Sequence, residues 1–216
     1  GLMFYSDIYQ LGDPILRLAN RLAGDGFVVA APEIFHRLEP VGTVIEPDAI
    51  GRLRGNDAAR RTEIAAYDAD AQALLSWLRD QAEVDEQRLG AIGFCIGGHL
   101  AFRAALRPEV RATACLYPTG LQNGKLGRGV ADSLQRAGEI QGALFTLFGS
   151  DDPHVPADDR EGVLEAQRGL KHETLLFEAN HTFMRDDGWR WDPDLADQAW
   201  AAVIKFLRRE LAPVQP

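Results

Sequence analysis

The chain has 216 residues, 46% of them apolar and 25% charged, and a formal charge of −9. That length suffices for one sizeable core, so a single domain over 1–216 is expected. The acidic balance, with no basic stripe, excludes a protein that tracks nucleic-acid phosphates. No apolar run reaches the roughly 18 to 20 residues of a membrane helix.

The sequence enters an apolar stretch directly at Gly1. A short native segment is therefore expected to precede it, and no secretory leader is visible. Residues 2–8 (LMFYSDI) read as a strand. Residues 14–26 read as a helix with Asp13 as N-cap, Pro14 in the first helical position and glycine at the end. Residues 27–35 (FVVAAPEIF) read as a buried strand ended by proline. Residues 37–58 carry Gly, Pro and Arg with little periodicity and are expected to form a long loop or lid. Within 59–82, Ile64, Tyr67, Ala71, Leu74, Leu75 and Leu78 recur at three- and four-residue spacing, the mark of an amphipathic helix. There follow a strand at 88–94, a helix from 95, a strand at 110–116 and a polar loop. The chain then gives a strand at 143–149, a helix near 157–169, a strand at 173–178 and a final helix near 193–211.

Short apolar strands alternating with helices imply an α/β protein with a mostly parallel sheet covered on both faces. Ligands of such sheets gather past the carboxyl ends of the strands. Two cysteines are too few for a disulfide scaffold, and no Cys or His lies at metal-ligand spacing. A reduced, cytoplasmic environment is expected, with no metal. Cys115, in "VRATACLYP", reads as a small buried apolar residue.

Cys95 is different. It sits in "GFCIGG", one residue past a strand and at the start of a helix. A sharp turn there would lift the side chain clear of the sheet, and the flanking glycines would relieve the crowding. This is the nucleophile elbow, usually Gly-x-Ser-x-Gly, with sulfur for oxygen. The helix N-terminus favours thiolate, and the Ile96 N–H would face an oxyanion. A glycine-tight turn around an inert buried cysteine is the plain alternative. A nucleophile needs a base, and the base an orienting acid, past later strand ends. "GSDDPHVP" supplies Asp151 and Asp152 there, and "ANHTFMR" supplies His181. His154 is a rival base, close in sequence to the aspartates. His36 and His172 read as exposed loop or strand-edge residues, and His99 as packed or solvated rather than catalytic.

These three segments, together with the pattern of the whole chain, resemble the dienelactone hydrolase family of α/β-hydrolases. The resemblance implies hydrolysis of cyclic enol-lactones without metal or organic cofactor. It implies Cys95 as nucleophile, His181 as base and Asp152 as orienter, since Asp152 stands three residues before Val155 in the Asp-x-x-Val-Pro signature. It places a second oxyanion donor at the Ile8 N–H. The family's best-known members carry a glutamate that holds the resting thiol where this chain has Asp7, one methylene shorter, which either does the same through a shifted backbone or a water or is a plain polar loop residue. It also implies arginines that grip a substrate carboxylate: Arg185, and one of Arg52, Arg54, Arg60 and Arg61, with Arg52 or Arg54 favoured. Glu33 reads as bracing a loop.

The expectation is thus a carboxylic ester or lactone hydrolase acting through an acyl-thioester on Cys95. Its partner is a small-molecule ester or lactone, possibly carboxylated, with neither nucleic acid nor membrane involved, and its state a monomer or small homo-oligomer. A broader carboxylesterase or thioesterase on neutral substrates is one alternative. A binding protein that kept the fold is another, disfavoured by the intact Cys, Asp and His.

Overall fold

The computed structural model describes residues 1–213. In chain order the elements are β1 (Leu2–Tyr5), α1 (Asp13–Gly24), β2 (Val29–Ala30), α2 (Ala49–Arg61), α3 (Ile64–Arg79), β3 (Leu89–Phe94), α4 (Ile96–Ala104), β4 (Val110–Leu116), a 3-10 turn (Ala137–Glu139), β5 (Ala143–Gly149), α5 (Ala157–Ala166), β6 (His172–Phe177) and α6 (Pro193–Glu210). The six strands form one sheet in the order β2-β1-β3-β4-β5-β6, and every neighbouring pair is parallel.

Strand side chains alternate between two apolar layers. Leu2 and Phe4 pack with Ile15 and Leu22 of α1 and with Val203 and Leu207 of α6. Met3 and Tyr5 pack with Leu75 and Leu78 of α3, Leu100 of α4 and Val163 of α5. Both faces are covered, so β1, β3 and β5 are buried along their whole length and show no polar alternation. Edge strand β6 does alternate, and its Leu176 is exposed. β2 lies on one side of β1 and β3 on the other. The strand order reverses there, which opens a crevice at the carboxyl ends of β1 and β3.

Three local expectations are corrected. Asp13 is the first residue of α1 and Gly12 its cap, with no side-chain capping bond. The strand expected over 27–35 shrinks to two residues at the sheet edge, because Pro32 has no N–H to continue the pairing. The lid expected over 37–58 contains α2, which also takes residues 59–61 from the expected start of α3. α2 has two glycines and few apolar residues, so no periodicity announces it. It starts on Asp48, whose carboxylate accepts the Gly51 N–H at 2.7 Å. Its glycines are there for close approach: a Cβ on Gly55 would lie 2.5 Å from the Ile8 carbonyl oxygen. α2 is thereby pressed against the loop that follows β1.

Candidate active site

Cys95 joins β3 to α4 with φ 59° and ψ −122°. An L-residue adopts that conformation only when its surroundings force it, at a cost of about 1 to 3 kcal/mol. The surroundings are visible. A Cβ on Gly93 would fall 1.9 Å from the Gly97 carbonyl oxygen, and one on Gly97 would fall 2.3 Å from that of Tyr5. Only glycine at both positions lets α4 start this tightly against β1. The turn leaves Cys95 at the amino end of α4, with the residue 9% exposed. Among the described residues, neither the Ile96 nor the Ile8 N–H donates to a backbone carbonyl.

The loop after β6 brings His181 and the loop after β5 brings Asp152. His181 Nδ1 lies 2.6 Å from Asp152 Oδ2, with both residues buried. The other carboxylate oxygen, Oδ1, accepts the His154 backbone N–H at 2.7 Å. Burial opposes charge on His181, but the neighbouring Cys95 and Asp152 raise its pKa to about 9. With Nδ1 turned to Asp152, Nε2 is the nitrogen left for the sulfur. Asp151 points the other way, accepting the Ser150 hydroxyl at the surface. His154, the rival base, lies with its ring centroid 4.7 Å from that of His181 and tilted to it by 59°, and it makes no hydrogen bond to Cys95 among the described residues. Burial, then the His181 charge, push its pKa down. His99 is packed rather than solvated, with no exposed surface.

The polar residues expected to modulate the thiol and hold substrate are arranged otherwise. Asp7 makes no hydrogen bond to Cys95. Its Oδ1 accepts the Tyr9 N–H at 2.9 Å and its Oδ2 accepts Arg185 Nη1 at 2.6 Å. The short side chain is used up by its own loop and by the arginine. Arg185 is also held by Asp187, with Nε 2.8 Å from Oδ1, and it is only 7% exposed. Its guanidinium is therefore occupied by two carboxylates of this chain. Arg54 makes a fork with Glu39, its Nε donating at 2.9 Å, and Arg60 and Arg61 pair with Asp57. Of the four arginines of α2, only Arg52 is left without an ion pair among the described residues. Its charge bears on Tyr9 and His154. Glu33 braces a loop, accepting the Gly42 N–H at 2.7 Å.

The Asp7–Arg185 pair makes a stability prediction. Arg185→Ala strands a buried carboxylate, and breaking a buried pair in this way costs about 3 to 5 kcal/mol. Urea unfolding should show this loss, whereas Arg60→Ala, on an exposed pair with Asp57, should change the midpoint little.

Three residues at the site escaped the sequence reading. Tyr9 lies half-buried with its ring 5.3 Å from the Arg185 guanidinium carbon. Tyr117, fully buried at φ 39°, packs edge-on against His181 at 5.3 Å. Thr119 has its hydroxyl oxygen 3.7 Å from the Cys95 sulfur. Each follows a strand end, which is the one signal that could have found them. Among the described residues no cluster of three or more His, Cys, Asp or Glu could hold a metal ion, and no helix is long and apolar enough to cross a membrane.

Residues 3–211 match the model of the dienelactone hydrolase family. A relative from Saccharomyces cerevisiae is 35% identical, over 98% of this chain and 80% of its own. The carboxymethylenebutenolidase of Rhodococcus opacus is 30% identical, over 97% of this chain and 81% of its own. Among solved structures, a dienelactone hydrolase-like promiscuous phosphotriesterase from metagenomic libraries superposes with a TM-score of 0.77. It is 24% identical and covers 97% of this chain and 86% of its own. At that identity the likeness speaks for the fold alone.

Proposed function

The chain belongs to the dienelactone hydrolase family and is a carboxylic ester hydrolase, and from that premise we propose that it opens an enol-lactone through a Cys95 acyl-thioester. The observation that carries the reading is the elbow conformation of Cys95 beside the buried His181–Asp152 pair. In the proposed reaction His181 Nε2 takes the thiol proton and the thiolate attacks the carbonyl carbon. The Ile96 and Ile8 N–H groups hold the resulting oxyanion, each typically worth ~3 kcal/mol. The tetrahedral adduct collapses, the ring C–O bond breaks, and His181 returns the proton to the leaving oxygen. Water, deprotonated by the same imidazole, then cleaves the thioester. Asp152 keeps the proton on Nδ1 throughout, so that Nε2 stays free to exchange.

The substrate class is proposed to be a lactone bearing a carboxylate, the chemistry named by the Rhodococcus relative. Arg52, which has no ion pair among the described residues, is the cation proposed to meet it. A second reading, an esterase for neutral substrates, is favoured by Arg185, whose guanidinium is already engaged by Asp7 and Asp187. Rates on a carboxylated enol-lactone and on a neutral aryl ester separate the two. The first reading expects the lactone to be preferred, and Arg52→Ala to lower its kcat/KM by about tenfold while sparing the ester. Equal losses, or a preference for the ester in the native enzyme, would sink it.

A further inference from the structure

The Cys95 sulfur has a neighbour that neither the elbow nor the His181–Asp152 pair requires. Thr119 Oγ1 lies 3.7 Å from it, within hydrogen-bonding range for sulfur. Among the described residues this hydroxyl has no other partner. It is also held from several sides. The Thr119 N–H donates to the Cys95 carbonyl at 3.2 Å, and the Tyr117 N–H donates to the Leu147 carbonyl at 2.7 Å. The segment between them starts from a strained residue, Tyr117 at φ 39°. Below it lies His99, fully buried, with Nε2 2.9 Å from the Ser133 hydroxyl. Its other nitrogen, Nδ1, faces the Thr119 backbone without completing a hydrogen bond. Burial first, and the Arg103 charge after it, push the His99 pKa down to about 3, although the Thr119 backbone pulls the other way. The ring is therefore a neutral, fixed support. Arg103 in turn donates to Ser133 at 3.2 Å and is clamped between Asp68 and Asp132.

A hydroxyl placed in this way has a use. Asp7, the residue expected to touch the resting sulfur, is turned to Arg185. A thiolate at Cys95 needs a donor besides the imidazolium, and Thr119 offers an O–H that no other group claims.

We propose that Thr119 is a catalytic residue that donates a hydrogen bond to the Cys95 thiolate. The proposal rests on Cys95 being the nucleophile. The thiol proton goes to His181 Nε2, and Thr119 keeps its own proton while sharing it with the sulfur. When the sulfur becomes a thioester it loses its charge and the bond weakens. The donor therefore stabilises the free thiolate and the departing thiolate of deacylation alike. The titratable groups facing Cys95 are His181 and the phenols of Tyr9 and Tyr117, with the Asp7–Arg185 pair beyond. The substitutions below leave all of these in place.

The test is the rate of Cys95 alkylation by iodoacetamide as a function of pH, followed by intact mass on the full chain. Cys115 has no exposed surface and stays silent. Thr119→Val removes the donor at nearly constant shape, and Thr119→Ala does so if valine disturbs the loop. Either should raise the midpoint of the acid limb by about one pH unit, while Thr119→Ser keeps the native midpoint. An unchanged midpoint in the valine and alanine variants would overturn the proposal, as would a serine variant that shifts as far as valine. If the alkylated native enzyme kept its turnover, the nucleophile assignment itself would fall, and this role with it.

Discussion

Cys95→Ala should reduce hydrolysis by a factor on the order of 10⁶, the scale of removing a nucleophile from a preorganised hydrolase. The backbone at Cys95 is strained, but alanine bears the same strain as cysteine. The glycines that make the elbow possible, Gly93 and Gly97, are untouched. Only the thiol is lost, and it fills little of the core. Thermal unfolding should therefore stay close to native while activity vanishes. Cys115→Ala is the internal control. Cys115 lies in the middle of β4, fully buried, and burial pushes its thiol pKa far up, so it is no nucleophile. Its loss should cost about 1 kcal/mol of stability and leave turnover intact. Turnover near the native level in Cys95→Ala would dismiss the assignment. Trapping an acyl group by mass spectrometry, present in native enzyme and absent in the variant, would test the thioester directly.

Asp152→Asn should lower kcat by about 10⁴-fold, whereas Asp151→Asn should change it by less than about threefold. The two residues are chemically identical neighbours, and the difference comes from where each carboxylate ends. Asp152 reaches His181 Nδ1 at 2.6 Å in a buried site. An amide in its place can present its NH₂ to Nδ1 and draw the imidazole proton onto Nε2, where it blocks acceptance of the thiol proton. Asp151 reaches only the exposed Ser150 hydroxyl. Because Asp152 also accepts the His154 N–H at 2.7 Å, the asparagine variant must accept that bond too, which favours the inactive amide orientation. The pH profile carries a second signature. Asp152 helps to hold the His181 pKa up near 9, so its removal should pull the basic limb of the rate profile down. A large loss at Asp151 and a small one at Asp152 would reverse the roles.

The sequence alone determined the parallel architecture, because strands buried on both faces cannot hide their apolar runs, and β1, β3, β4 and β5 all read as such. It also pointed to Cys95, to the Asp151–Asp152 pair and to His181, because each lies in a loop just past a strand end, and the family resemblance then favoured Asp152 within the pair. Cys115 was legible for the same reason as the core around it. What the tertiary structure decided is how polar side chains share one another. Asp7 and Arg185 are 178 residues apart, and no spacing rule could show that each would be spent on the other at 2.6 Å. That contact removed Asp7 from the sulfur and left Arg185 without a free guanidinium. Arg54 and Arg52 are two residues apart on one helix, yet Glu39 claims the first in an ion pair and leaves the second unclaimed among the described residues. α2 itself was illegible because it forms by capping at Asp48 and close backbone approach at Gly51 and Gly55, with little apolar periodicity to announce it. Thr119 was equally hidden. A threonine in a loop has no pattern, and its meaning comes from the fold of two strand ends that set its hydroxyl beside one sulfur atom.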